Sequence, residues 1–220
     1  MTPRDEHGWP RPAHHEGAAP DDHAAVLPRG FFARPAPEVA RDLIGMILCR
    51  HDDGSAARIV EVEAYTQDDP ACHAHNGRTE RNAVLWGPPG HAYVYRSYGM
   101  HWCFNTSTGG DGVGQGCLIR AAEPLRGHAR LRARRPVARD LDLLRGPAKL
   151  CQAFGIGGDL GGSDLCGGGP LHFHDDGARP AVATGPRVGV TLAADVPWRF
   201  TAAGSPWVSA YRRSPRAPRP

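Results

Sequence analysis

The sequence contains almost no lysine. Lys149 is the only lysine in the 220-residue chain, and every other member of its 26 lysine and arginine residues is an arginine. Catalysis through a Schiff base requires an amine, so imine chemistry is not expected of this protein. Arginine binds phosphate groups through two parallel hydrogen bonds, and the net charge of +3 permits a polyanionic partner without requiring one.

Long hydrophobic runs and paired cysteines are also absent. No stretch approaches the roughly 20 apolar residues that span a bilayer, and the first residues lack the apolar core of a secretory signal. We therefore expect a cytoplasmic protein. The six cysteines show no CxxC pair and no regular spacing, which predicts buried free thiols.

Both ends of the chain are poor in apolar periodicity. Residues 1–27 are rich in proline, histidine, alanine and acidic residues, and residues 212–220 are mostly arginine and proline. Such segments bury too little apolar surface to offset the entropy of ordering. We predict disordered tails at 1–27 and 212–220 around a single domain at 28–211.

The apolar pattern of this domain predicts helices and strands in irregular alternation. Two pairs of strands are joined by short turn-forming segments, which indicates two hairpins. Because helices and strands do not alternate regularly, an α+β fold with an antiparallel sheet is favoured over a doubly wound fold. The predicted elements are a helix over 36–46, strands over 46–50, 57–65, 92–96, 102–106, 117–122 and 186–192, a helical stretch over 127–145, and a helix that begins at Pro147.

Two carboxylates share one side of the predicted strand at 57–65. Alternation along a strand places Glu61, Glu63 and Tyr65 on one face. Taken alone, such a string most often forms a solvated surface, because charged residues are usually exposed. The alternative is a catalytic site, and histidines and tyrosines that follow closely in the sequence favour it.

Aromatic residues mark the second predicted hairpin. Tyr93 and Tyr95 share one face of its first strand, which is also typical of ordinary cross-strand packing. Tyr98 lies in the turn between the strands, where a large aromatic is exposed. A protruding aromatic at a hairpin tip has the shape of a wedge that can enter a base stack.

Several strings, taken together, resemble the alkyladenine (3-methyladenine) DNA glycosylase family of eukaryotes and bacteria. They occur in the family's order and cover most of the region from 27 to 211. The strings are RIVEVEAY (58–65), DPACHAHNGRTERN (69–82), GPPGHAYVYRSYGMHWCFN (87–105), LIRAAEPL (118–125), GPAKLCQAFGI (146–156), PRVGV (186–190) and GSPWVS (204–209).

The resemblance implies roles for the residues of a base-binding pocket. It implies that Glu63 is the general base that activates the attacking water. It further implies that Tyr65, His73 and Tyr95 are the walls that sandwich a purine flipped out of the duplex. Flipping is required because the reacting bond cannot be reached inside the stack, and it costs least at damaged pairs.

Three further roles follow from the same resemblance. Tyr98 would fill the gap that the flipped nucleotide leaves in the stack. Asn105 would crowd the 2-amino group of guanine, and Arg120 would lie against the pocket and the flipped nucleotide.

The family also implies an overall design. It has one domain with a curved antiparallel sheet flanked by helices, a protruding hairpin that enters the minor groove of double-stranded DNA, and no required metal or cofactor. The implied reaction is hydrolysis of the N-glycosidic bond of alkylated or deaminated purines such as 3-methyladenine, 7-methylguanine, hypoxanthine and etheno-adenine. A monomer that leaves an abasic site without a strand break is expected.

Three other interpretations remain open from the residues alone. A carbohydrate glycosidase could use Glu61 and Glu63, which lie about 7 Å apart along a strand, as an inverting pair. A non-catalytic binder of damaged nucleic acid would keep the aromatics without the chemistry. A zinc hydrolase would have to assemble its ligands from loops without a recognisable spacing; its candidates are Cys72, His73, His75, His91 and His101.

Overall fold

The structure is a computed structural model that describes residues 25–137 and 139–218. Within these ranges nine strands form one antiparallel sheet, in the order β1-β7-β2-β3-β6-β5-β4, with β9 paired to β3 and β8. The strands are β1 (Ala25–Val26), β2 (Ile47–Arg50), β3 (Ala56–Tyr65), β4 (Ala92–Ser97), β5 (His101–Ser107), β6 (Gly116–Arg126), β7 (Leu171–Asp175), β8 (Val182–Gly185) and β9 (Arg199–Ala202).

Short helices cover one side of this sheet. They are α1 (Arg29–Phe32), α2 (Ala36–Asp42), α3 (His128–Arg134) and α4 (Pro147–Phe154). Helix α4 begins with proline at its first position and ends at Gly155 in the left-handed conformation, as the two residue types favour. Among the described residues, no helix has the length and apolarity needed to cross a membrane.

The main core lies between the helices and one face of the sheet. Val39 of α2 and Leu150 of α4 pack in one apolar cluster with Leu48, Val62 and Phe173 of the strands, and all five are fully buried. The predicted α+β class and antiparallel sheet are confirmed. All six cysteines are free, and five of them are buried.

Strand β3 runs through the middle of the sheet and is buried on both faces. Its register against β6 shifts on either side of Glu61, so that Val60 and Arg120 each fall between paired positions. Such bulges bend a strand and re-aim side chains, and they are common beside active sites. Here they let Arg120 reach both carboxylates of the opposite strand.

Both predicted hairpins are confirmed. Strand β2 pairs with β3, and β4 pairs with β5 around a turn from Ser97 to Met100. The helical stretch predicted over 127–145 is shorter than expected, because α3 ends at Arg134 and Pro136 disfavours helical backbone in the residue before it.

The strand predicted over 186–192 is wrong. The strands of this region are β8 and β9, and residues 186–198 between them are irregular. The backbone N–H of Val188 donates to Glu63 instead of to a neighbouring strand, and the buried side chain of Arg187 pairs with Asp69. Gly189 adopts a φ of 72°, which ends any extended run.

The ends of the folded body extend beyond the predicted boundaries. Of the predicted tail at 1–27, residues 1–24 lie outside the described residues. Ala25 and Val26, however, pair with β7, and Leu27 is buried. In the segment predicted as a second tail at 212–220, Arg212 accepts a hydrogen bond from Gly189, and Ser214 is buried. Residues 219–220 lie outside the described residues.

Candidate active site

The acidic face of β3 is buried rather than solvated. Glu61 and Glu63 are both 0% exposed. Arg120 lies between them, with its Nε 2.9 Å from Glu61 Oε1 and its Nη1 3.2 Å from Glu63 Oε2. Fully buried carboxylates are tolerated only when they are paired, so this face is a buried polar cluster. The interpretation of the face as an ordinary solvated surface is wrong.

Glu61 is saturated with structural partners. Its Oε1 accepts from Arg120, from Arg199 Nε at 2.7 Å and from the Ser209 hydroxyl at 2.9 Å, and its Oε2 accepts from the Ser209 N–H at 2.8 Å. Burial raises the pKa of Glu61, but the charges of Arg120 and Arg199 outweigh burial and hold the pKa below its ordinary value. An inverting glycosidase needs one carboxyl whose raised pKa keeps it protonated, and Glu61 is the opposite.

Glu63 is held by three donors that approach from different parts of the chain. Its Oε2 accepts from the Tyr65 hydroxyl at 2.8 Å and from Arg120, and its Oε1 accepts from the backbone N–H of Val188 at 2.7 Å. All three partners can donate, which matches the acceptor-only chemistry of a carboxylate. The side chain is therefore fixed in one orientation beside the hydroxyl of Tyr65.

A pocket opens on the other side of Tyr65. Its volume is about 380 Å³ when the space of its open mouth is included. Four predicted site residues line it, whereas Glu63 and Arg120 do not. The lining residues are Tyr65, Cys72, His73, Leu85, Tyr93, Tyr95, Asn105 and Gly116.

His73 and Tyr95 form one wall of this pocket together. Their ring centroids are 4.5 Å apart with an edge-to-face angle of 70°. A base stacked between two rings would separate them by about 7 Å, twice the usual contact distance, so no base fits between these two. A planar ligand would instead lie with Tyr65 on one side and the His73–Tyr95 wall on the other.

Tyr93 supports this wall. Its hydroxyl lies 2.9 Å from His73 Nδ1, and its ring stacks on Tyr95 with centroids 5.4 Å apart. The sequence identified Tyr93 only as an aromatic on the same strand face. Asn105 is also fixed, because its side-chain amide donates to the Tyr93 carbonyl over 3.1 Å.

The aromatic walls are neutral near pH 7. Burial and the charge of Glu63 raise the pKa of Tyr65 well above its ordinary value, and burial raises that of Tyr93 to about 12. Partial burial and the positive charge of Arg81 lower the pKa of His73 below 6.5. The residues that line the pocket therefore present uncharged rings to a ligand, and the guanidinium of Arg81 lies 5.6 Å from the centre of the Tyr95 ring.

The tip of the β4–β5 hairpin exposes two large apolar side chains. Tyr98 is 88% exposed and Met100 is 72% exposed. Tyr98 and Gly99 have φ angles of 51° and 68°, as the central residues of a type I′ turn require. Positive φ is costly for an aromatic residue, so the turn holds Tyr98 outward at some expense in backbone energy.

The candidate zinc ligands do not assemble. Cys72 and His73 line the pocket, His75 is exposed, His91 contacts Arg29 and the Pro88 carbonyl, and His101 begins β5 in an exposed position. In the described ranges these five residues form no group whose ligand atoms could hold a metal ion together. The zinc-hydrolase interpretation is therefore wrong for this set.

Comparison with known proteins assigns the sequence that builds this site to a family. The sequence pattern of the methylpurine-DNA glycosylases matches residues 30–206. The chain belongs to this family. It is accordingly a DNA glycosylase, an enzyme of DNA repair that hydrolyses N-glycosyl bonds.

Curated relatives support the same assignment along nearly their whole length. A Burkholderia lata protein provisionally named 3-methyladenine DNA glycosylase is 53% identical over 196 residues, which cover 87% of this chain and 94% of the relative. A relative with the same provisional name from Granulibacter bethesdensis is 48% identical over 86% of this chain and 89% of the relative. Another, from Methanoculleus marisnigri, is 46% identical over 84% of this chain and 98% of the relative.

Sequence reasoning missed the residues of this glycosylase that reach Glu63 from the far end of the chain. Arg187 is 1% exposed, and its guanidinium lies 4.6 Å from the centre of the Tyr65 ring while it pairs with buried Asp69. It also donates to the Ala64 carbonyl over 3.0 Å. The string PRVGV was noted for its resemblance but was interpreted as a strand, and neither Arg187 nor Val188 was assigned to the site.

Proposed function

We propose that this glycosylase flips alkylated or deaminated purines out of double-stranded DNA and hydrolyses their N-glycosidic bond with a water activated by Glu63. The observation that carries the proposal is the fixed, fully buried carboxylate of Glu63 behind a pocket walled by Tyr65, His73 and Tyr95. The hydroxyl of Tyr65 links the two, because it reaches Glu63 while its ring faces the pocket.

Recognition of the base follows from the neutral aromatic walls. A purine alkylated at a ring nitrogen is cationic, and stacking it on electron-rich rings gains a cation–π term of roughly 0.5 to 2 kcal/mol that a normal base lacks. The lowered pKa of His73 keeps that ring uncharged near pH 7, so the wall does not repel a cation. The flipped base would lie between Tyr65 and the His73–Tyr95 wall.

Asn105 supplies steric selection. It is buried at the pocket, and its amide is held by the Tyr93 carbonyl. A side chain fixed in this way cannot move aside for an extra group, so we assign it the rejection of the guanine 2-amino group. Arg120 donates to Glu63, so we assign it the role of orienting that carboxylate and place it on the side of the flipped nucleotide.

Tyr98 is assigned the role of a wedge. It extends from the hairpin tip with 88% of its surface exposed, and an apolar wedge that fills the vacated position in the stack offsets part of the unstacking cost. We propose that the hairpin enters on the minor-groove side and that one copy of the chain acts alone.

For an alkylated, cationic purine the proposed chemistry needs one carboxylate and one water, whereas a neutral purine such as hypoxanthine must also take up a proton as it leaves. The bond between C1′ and the purine nitrogen breaks, its electron pair leaves with the base, and the sugar becomes an oxocarbenium-like cation. The carboxylate of Glu63 stabilises that positive charge and accepts a proton from the water as the water oxygen bonds to C1′. The product is an abasic site with an intact strand, and no step of this scheme uses a metal or a cofactor.

Lys149 lies apart from this chemistry. It is on α4, it does not line the pocket, and its Nζ lies 3.9 Å from Asp142 Oδ1. Borohydride should therefore fail to trap the protein on DNA during the reaction, because trapping requires an imine. Efficient trapping that disappears in Lys149→Arg would contradict direct activation of water.

The substitution Glu63→Gln tests the proposal. Glutamine keeps the size of the side chain but cannot act as the base, so base release in single turnovers should be abolished. Binding to a damaged duplex should stay within about tenfold, or 1.4 kcal/mol. Glu80→Gln, which removes an exposed carboxylate, is the matched control, and unchanged release by Glu63→Gln would contradict the assignment of the base.

A panel of duplexes with one lesion each tests the substrate class. The names of the relatives point to 3-methyladenine, and the neutral pocket favours cationic bases generally. We expect release of 3-methyladenine and 7-methylguanine to exceed that of hypoxanthine and etheno-adenine, which are neutral and leave less readily. Binding without release from every lesion would instead support a non-catalytic binder.

A further inference from the structure

A second cluster of reactive side chains lies outside the pocket. Cys49 of β2 and His172 and His174 of β7 place one potential ligand atom each within 4.8 Å of one another. None of the three lines the pocket. None of them is among the three donors that hold Glu63, and the proposed base excision does not use them.

The register of two paired strands fixes this arrangement. Cys49 lies opposite His172, and Ile47 lies opposite His174. Alternation along β7 buries Leu171 and Phe173 in the main core and turns both histidines to the other face of the sheet. On that face, Cys49 packs with the small apolar cluster of Ile47, Ala56 and Leu125. The three side chains are thus held by backbone pairing rather than by flexible loops.

His51 is a possible fourth donor beside the cluster. His51, in the exposed turn after β2, has its ring centroid 6.1 Å from that of His172. The rings of His172 and His174 are 4.7 Å apart. Because His51 lies in a turn, a change of rotamer can bring its nitrogen toward the other three. One thiol and three imidazoles make up a tetrahedral donor set that suits zinc.

The protonation states of the cluster residues affect how a cation could bind. Burial and the neighbouring His174 and His51 lower the pKa of His172 to about 4, so its ring is neutral. Burial raises the pKa of Cys49 to about 11, against the opposing charge of Arg126. The thiol is therefore protonated without a metal, and binding would release its proton to the solvent. Arg126 ends β6 in a half-buried position and hydrogen-bonds to the Cys49 thiol, so its guanidinium must be displaced from the thiol when a cation binds.

We propose that Cys49, His172 and His174, completed by His51, bind one divalent transition-metal ion of the zinc class at the face of the sheet opposite the main core. The ion would tie β2 to β7 and would act on stability, not on base excision. This site is independent of the proposed reaction. The spacing of these residues in the sequence does not indicate a metal site, because the antiparallel pairing of β2 with the distant strand β7 brings them together.

The test uses the full chain with Co²⁺ as the spectroscopic probe. Sulfur ligation to Co²⁺ gives an intense near-ultraviolet charge-transfer band that imidazole ligation does not give. Residues 1–24 contain four histidines and no cysteine, so metal bound there produces no such band. We expect the band to saturate at one equivalent of Co²⁺ and to be displaced by Zn²⁺.

Variants locate the site. Cys49→Ser should abolish the band, His172→Ala should weaken Co²⁺ binding at least tenfold, and Cys166→Ser, which removes a half-buried thiol elsewhere, should leave both unchanged. Added Zn²⁺ should raise the Tm of the wild type and of Cys166→Ser, but not that of Cys49→Ser. Base release by Cys49→Ser should equal that of the wild type.

Two results would overturn the proposal. One is the absence of a thiolate band at micromolar Co²⁺ in the reduced protein. The other is a band that persists in Cys49→Ser. Both are independent of base release, so a failure of the metal site and a failure of the proposed glycosylase mechanism are distinguishable.

Discussion

The hydroxyl of Tyr65 donates a hydrogen bond to Glu63 Oε2 over 2.8 Å. The same residue lines the pocket, so Tyr65 connects the pocket to the proposed general base. Tyr65→Phe keeps the ring and removes only the bond. We expect single-turnover base release to fall about tenfold, or 1.4 kcal/mol, near the lower end of what a hydrogen bond to a charged group contributes.

The matched control for this variant is Tyr211→Phe, which removes an exposed tyrosine hydroxyl from the far end of the body. Its base release should be unchanged. Equal rates for Tyr65→Phe and the wild type would show that the hydroxyl does not position Glu63.

Glu61 should be needed for stability rather than for chemistry. Glu61→Gln leaves the guanidinium groups of Arg120 and Arg199 without their shared charge partner. Breaking a buried pair in this way costs about 3 to 5 kcal/mol, and denaturant unfolding at pH 7 measures it. Glu80→Gln, in an exposed position, should change the free energy of unfolding by less than about 0.5 kcal/mol.

The pH dependence of this effect has a definite sign. Because the pKa of Glu61 is lowered in the fold, its contribution to stability is fully present above the ordinary value of 4.5 and is lost as the pH falls through the lowered value. The difference in unfolding free energy between the wild type and Glu61→Gln should therefore shrink below pH 4.5. A difference that grows on acidification would contradict the assigned shift.

Tyr98 can be tested with two substitutions that differ only in backbone strain. Tyr98→Gly and Tyr98→Ala both remove the wedge, so both should weaken base release from duplex DNA by a similar factor. Only glycine accepts the φ of 51° without strain, so Tyr98→Gly should be more stable than Tyr98→Ala by about 1 kcal/mol. Duplex activity that tracks stability instead of the loss of the ring would refute the wedge.

Arg187 and Asp69 should behave as one unit. Arg187→Met leaves Asp69 buried without its charge partner and should cost about 3 to 5 kcal/mol in unfolding free energy. Adding Asp69→Asn should recover part of this loss, because asparagine is uncharged and keeps the oxygen that accepts from the Ala71 N–H. Unfolding of the two single variants and the double variant gives the coupling energy; strict additivity would argue against a pair.

The low pKa of His73 should depend on Arg81. Arg81 contributes a positive charge that lowers this pKa, after the larger effect of burial. Arg81→Gln should therefore shift the NMR titration midpoint of the His73 ring upward, toward 6.5. The control is Arg78→Gln in the same loop, and an equal shift in both variants would mean that the loop, not the charge, sets the pKa.

Much of this site could be predicted from the sequence because its parts are local. Alternation places Glu63 and Tyr65 on one face of β3, and a short turn exposes Tyr98 between two strands. These features depend on residues within a few positions of one another, where strand period and turn chemistry act. The family resemblance then supplied roles for His73, Tyr95 and Arg120 that no local rule contains.

Only the tertiary structure decided what surrounds these residues. The donor from Val188 reaches Glu63 across 125 positions, and Ser209 reaches Glu61 across 148. Contacts at such separations turn an apparent surface into a buried, paired cluster, and they divert residues 186–192 from the strand that their pattern predicts. The sequence alone determined which residues share a strand face or a turn, because those relationships are local; burial and long-range pairing determined that Glu61 is held by structural partners and that Arg187 and Val188 belong to the site.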